Sequence, residues 1–172
     1  MKEKITSVLI DPDRDRRNQF YLALDLLNIS KACIAQDNSG KALDYFRKQS
    51  GFTPDYIFLD SLLPTDETTS FLKEVRTIKR LKQVPVIWYS ASFNENQLEA
   101  IQEAGFAAGL TRQADLLDLK ANLHALFQMD LHNHEVPADE TSAAVRFRMK
   151  MKELLLQTQS LLDAPEAALA HP

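Results

Sequence analysis

Three aspartates, one serine and one arginine stand where the ends of parallel strands would gather them. Asp11 and Asp13 follow the apolar run Ile5 to Ile10. Asp60 closes Tyr56-Ile57-Phe58-Leu59, Ser90 closes Val84-Pro85-Val86-Ile87-Trp88-Tyr89, and Thr111-Arg112 follow a weaker run at 107–110. Carboxylates collected at one edge repel one another, and a hard divalent cation such as Mg2+, held through oxygen ligands, relieves that repulsion. One carboxylate can then act as a nucleophile toward a phosphoryl group. The Ser90 hydroxyl and the Arg112 guanidinium would stabilise its equatorial oxygens.

The elements needed to position these residues are legible in the pattern. Ile5 to Ile10, 32–35, Tyr56 to Leu59, Val84 to Tyr89 and 107–110 are short apolar runs of the kind that a strand covered on both faces shows. Between them, Phe20, Leu24 and Leu27 recur at helical spacing, as do Ala42, Leu43 and Phe46 in the stretch Ser39 to Gln49. Arg14, Arg16 and Arg17 are expected on the solvated face of the first helix. Phe71, Leu72, Val75 and Ile78 predict a third helix ending near Arg80. Asn94 and Gln97 form an N-cap pair for a fourth helix through Leu98, Ile101 and Ala104, which Gly105 stops. The fifth is expected over Asp115 to Phe127. Strands alternating with helices imply right-handed crossovers and a doubly wound parallel sheet, whose ligands bind outside the carboxyl ends of the strands.

Composition narrows the function classes. With 172 residues the chain has room for one full domain and an appendage. The 45% apolar and 26% charged shares are those of a globular protein, and a net charge of −4 disfavours a nucleic-acid partner. Cys33, the single cysteine, can form no intrachain disulfide and suits a reducing cytoplasm. The start, Met1-Lys2-Glu3-Lys4 and six mostly apolar residues, is too short for a signal-peptide core or a membrane span.

Over roughly residues 4–128 the sequence resembles the receiver domains of two-component response regulators, its single-domain members in particular. Tyr56 to Pro64 is similar to that family's apolar strand, phosphorylated Asp and following Pro. Pro85 to Ala91 is similar to its fourth strand and switch hydroxyl, and Ala104-Gly105 through Arg112 to the run into its fifth strand and lysine. The resemblance implies a flavodoxin-like sheet of order 2-1-3-4-5. It implies Asp60 as phosphoacceptor, Mg2+ held by Asp11, Asp13, Asp60 and the Leu62 backbone carbonyl, and Ser90, Ala91 and Arg112 around the phosphoryl group. The implied partners are a histidine kinase or phosphotransfer protein and a downstream protein, with no catalytic activity beyond slow loss of the phosphoryl group.

Departures from the family pattern fall at four places. Pro12 replaces the second acidic residue after strand one, Arg112-Gln113 replaces Lys-Pro, Gly109 takes an aromatic switch position, and Thr68 a glycine. Pro12, Gly109, Arg112 and Gln113 motivate a second reading, a docking module that works without phosphorylation. A third, a phosphohydrolase with Asp60 as nucleophile, is disfavoured by Leu62, where such enzymes need another Asp. The plain alternative for Asp11 and Asp13 is capping of the first helix.

The chain is expected to divide into a receiver domain (1–128), a linker (129–141), an amphipathic helix (142–163) and a tail (164–172). In the linker, His132 and His134 lack acidic or thiol partners at metal-ligand spacing. The helix carries Phe147, Met151, Leu154, Leu155, Leu161 and Leu162 on one side, a stripe that must be covered by its own domain or by a partner, a second copy in a homodimer among them. Without tryptophan in that stripe, a membrane surface is disfavoured.

Overall fold

The computed structural model describes residues 4–61, 65–91 and 95–132. Five strands, β1 (Ile5–Ile10), β2 (Ser30–Gln36), β3 (Tyr56–Asp60), β4 (Val86–Ser90) and β5 (Ala108–Thr111), alternate with five helices. These are α1 (Arg14–Leu27), α2 (Ser39–Lys48), α3 (Asp66–Thr77), α4 (Glu95–Ala104) and α5 (Leu116–Gln128). The sheet is parallel throughout, in the order β2-β1-β3-β4-β5. That is the fold class the alternating pattern implies and the strand order the resemblance implies.

Phe20 fixes α1 to the sheet: its ring meets Phe58 of β3 at 4.9 Å and Tyr89 of β4 at 5.6 Å, both edge-on. Such aromatic pairs add to the area term of burial and also fix the helix's rotation about its own axis. Asn28 takes the left-handed conformation that ends α1, and Gly105 does the same after α4 with a φ of +97°.

At β4, β2 and α3 the boundaries depart from the pattern for physical reasons. Pro85 has no N–H for the ladder, so β4 starts at Val86, although the Pro85 carbonyl still accepts from Ile57 N at 3.0 Å. The edge strand β2 takes in the polar Ser30, Lys31 and Gln36 because pairing with β1, not side-chain character, sets its length. α3 stops at Thr77, whose hydroxyl donates to the Glu74 carbonyl at 2.6 Å, and a short 3-10 turn, Lys79–Leu81, replaces the expected last helical turn. Packing continues past α5: Leu131 is 1% exposed, and the exposed His132 lies ring to ring with Tyr56 at 5.0 Å. The expected helix 142–163, with Phe147, Met151, Leu154, Leu155, Leu161 and Leu162, lies outside the described residues, as do the tail, His134, Leu62, Pro64 and Asn94.

Candidate functional site

Strand ends β1, β3 and β5 bring Asp11, Asp60 and Arg112 to one edge, and α1 adds a residue the pattern had placed in solvent. Arg16 lies one turn before Phe20, on the same helical face, so anchoring Phe20 on the sheet turns Arg16 over the strand ends. Its side chain leans toward the helix N-terminus, where Nε donates to Asp11 Oδ2 at 3.0 Å and Nη2 to Asp11 Oδ1 at 2.7 Å. The same Nη2 reaches Asp60 Oδ2 at 3.2 Å. Arg17 is also drawn inward, Nη1 donating to the Asp11 carbonyl at 2.7 Å. The expectation that Arg16 and Arg17 line a solvated face is therefore corrected. A fully buried Asp11 carboxylate needs a cationic partner, and the first turn of α1 supplies it.

Asp13 takes the plainer of its two roles. Oδ1 caps α1 by accepting from Arg16 N at 2.9 Å, and the side chain is 44% exposed. That backbone hydrogen bond, with the nearby Arg16 and Arg17 charges, holds its carboxyl below the usual range. Asp11 Oδ1 accepts from Asp13 N at 2.8 Å, which fixes the turn between β1 and α1.

On the other side of Asp60, the Arg112 guanidinium pairs with Oδ1. Arg112 is placed by β5: its N–H donates to the Ser90 carbonyl, in a ladder where Ser90 lies opposite Thr111. Asn122 of α5 donates to the Thr111 carbonyl at 3.3 Å, and Gln19 of α1 to Ala114 at 2.7 Å, so the loop after β5 is tied to both flanking helices. Ser90 is buried at the end of β4 and Ala91 is exposed just beyond it. Burial raises the Asp60 pKa, as does the Asp11 carboxylate, while Arg112 and Arg16 oppose the rise. A cleft of about 500 Å³ opens beside Asp60, past Pro12, Asn38, Ser61, Thr65 and Glu67.

No family model and no curated protein matches the sequence. Solved structures do. The phosphorylated cyanobacterial phytochrome response regulator RcpA is 21% identical over 78% of this chain and 99% of its own, with a TM-score of 0.61. The Mn2+-bound response regulator Rcp1 is 21% identical over 78% and 99%, with a TM-score of 0.56. The chemotaxis response regulator CheY4 of Vibrio cholerae is 17% identical over 73% and 98%, with a TM-score of 0.58. The chain has the receiver-domain fold.

On this receiver frame a divalent cation finds few free ligands. Pro12 offers no carboxylate, Asp13 is engaged as a cap, and both oxygens of Asp11 and of Asp60 already accept from guanidinium groups. Among the described residues no group of three acidic, histidine or cysteine side chains converges. Among the described residues, the Asp11 and Asp60 oxygens that would hold a hard cation are taken by guanidinium groups, so the donor set as it stands does not fit one; the Leu62 carbonyl lies outside the described residues.

Arg16 is the residue the pattern missed, because its inward turn depends on how Phe20 seats α1 on the sheet. An aspartate at the end of a buried strand, with proline where a second acid belongs, leaves room for a cation from the first helical turn. Cations are disfavoured there by the helix dipole unless a carboxylate faces them. Thr68, in the place of a glycine, is buried with its hydroxyl 3.1 Å from that of Thr65, so it belongs to the start of α3.

Proposed function

We propose that this chain is a signalling receiver that accepts a phosphoryl group on Asp60 from a histidine kinase or phosphotransfer protein and signals by protein contact. One observation carries the reading. The Asp60 carboxylate ends β3 between guanidinium groups from two separate elements, α1 and the segment after β5.

In the transfer, an Asp60 oxygen attacks phosphorus, the P–N bond of the donor phosphohistidine breaks, and a P–O bond forms a mixed anhydride. The imidazole leaves with the electron pair and takes a proton from solvent. Burial that raises the Asp60 pKa makes the ionised carboxylate a stronger nucleophile. Added negative charge then draws Arg112 and Arg16 from carboxylate to phosphoryl oxygens, a geometry guanidinium serves well. Because Arg112 is tied to β5 and its neighbours, that shift alters the α4–β5–α5 surface and biases its conformers. RcpA, phosphorylated, and Rcp1, Mn2+-bound, share this fold, which supports reading the chain as a phosphoryl acceptor.

The docking-module reading has its own support: in the unmodified chain Asp60 is already neutralised from two sides. Incubating the full chain with a small phosphodonor separates the two. Intact mass should show one added phosphoryl group that hydroxylamine removes and that Asp60→Asn never acquires. Lack of any adduct favours docking. The stretch 142–163 is proposed as a dimer contact, checked by comparing sedimentation of the full chain with one ending after His132, which keeps the buried Leu131.

A further inference from the structure

We infer that the Arg16 guanidinium does at the Asp60 site what a bound divalent cation would do, so that the site neither holds nor needs one. The phosphoryl half of this inference rests on the function proposed above; the metal half does not.

The geometry is that of a bridging cation. One nitrogen, Nη2, contacts oxygens of both Asp11 and Asp60, at 2.7 and 3.2 Å, while Nε takes the remaining Asp11 oxygen. Asp11 is completely buried, so its charge cannot be left to solvent. Charge balance points the same way. Asp11, Asp13 and Asp60 contribute three negative charges, and Arg16, Arg17 and Arg112 contribute three positive ones within contact of them or their backbone. The cluster is neutral as it stands. A dication would have to displace Arg16 from both carboxylates and would leave two uncompensated positive charges beside the displaced guanidinium.

Arg16 is also held ready. Its backbone is fixed by the Asp13 cap and its helix by Phe20 against Phe58 and Tyr89, so bridging costs little further ordering. The mutual interaction of the ion pairs pushes the Arg16 pKa up, which keeps the guanidinium charged at every working pH. When Asp60 takes a phosphoryl group from its donor, the donor's bond to phosphorus breaks as the P–O bond to Asp60 forms. The dianionic group adds one negative charge, and Arg16 and Arg112 remain as its donors.

Two measurements on the full chain test this. Mn2+ binding followed by electron paramagnetic resonance should show no site up to about 1 mM, the weak end for protein oxygen sites; a site tighter than that in the wild-type chain overturns the inference. Reaction with a small phosphodonor should run at the same rate, within about twofold, with EDTA or with Mg2+. Loss of the wild-type reaction in EDTA overturns it as well. Arg16→Gln should slow the reaction at least about tenfold and Arg16→Lys should recover part of it, since a point charge keeps the attraction without the fork. An unchanged rate in Arg16→Gln counts against Arg16. If that variant does not fold, the wild-type titration and EDTA comparison still decide. If no chain reacts with any donor, the phosphoacceptor reading fails, and the Mn2+ titration alone decides the metal question.

Discussion

Arginines stand at both ends of this sheet, but they face different partners. At the amino end, Arg76 donates to the carbonyls of Leu81 and Val84 at 3.0 and 2.7 Å, and Arg80 to those of Phe46, Phe52 and Gln49. There Asp55 accepts from the backbone and hydroxyl of Thr6. At the carboxyl end, Arg16 and Arg112 face carboxylates. Guanidinium on neutral carbonyls ties loops together and leaves no anion dependent on it. Guanidinium on buried carboxylates makes a cluster whose members rely on one another, and that a new anion can reorganise. Identical side chains therefore hold the fold at one end and poise chemistry at the other.

The sharpest way to break this comparison is to strip a cation from each end. Arg16→Leu should cost about 3 kcal/mol in urea unfolding, because it leaves Asp11 buried and unpaired. Adding Asp11→Asn should restore more than half of that loss. An additive double variant would mean that the two do not form one unit. Arg80→Ala should cost about 2 kcal/mol, for carbonyls losing charged donors, and no second substitution at a carboxylate should rescue it. Its effect on phosphoryl acceptance at Asp60 should be nil.

Titration sharpens the contrast within the carboxyl end. Asp60 is raised by burial and Asp13 lowered by its cap. Between the ordinary aspartate value and the higher Asp60 value, the folded chain binds a proton that the unfolded chain does not, so this site's share of stability grows as pH falls. Asp13 does the reverse: its share is present above the ordinary value and is lost as pH falls through the lowered one. Carboxyl carbon shifts followed by NMR should show the two midpoints in that order, and Arg16 amide exchange should quicken as Asp13 protonates.

The edge strand supplies the smallest expected effect. Burial pushes the half-buried Cys33 thiol up to about 11, so alkylation at pH 8 should be slow in the folded chain and fast once it unfolds. The matching stability is present below pH 9 and is lost as pH rises toward 11. Rapid native labelling would mean that β2 opens locally.

Periodicity and strand-end residues carried the element order, the buried faces of α1, α2 and α3, and the convergence of Asp11, Asp60 and Arg112. Each follows from local rules: which side chains seek burial, where proline and glycine interrupt, and which ends of parallel strands share an edge. Which way Arg16 points could not be read that way. Its placement depends on the rotation of α1, which Phe20 sets by contact with Phe58 and Tyr89, residues far along the chain. Local pattern assigns a charged residue in a first helical turn to solvent; only the assembled sheet puts a buried carboxylate within its reach and makes turning inward the lower-energy choice.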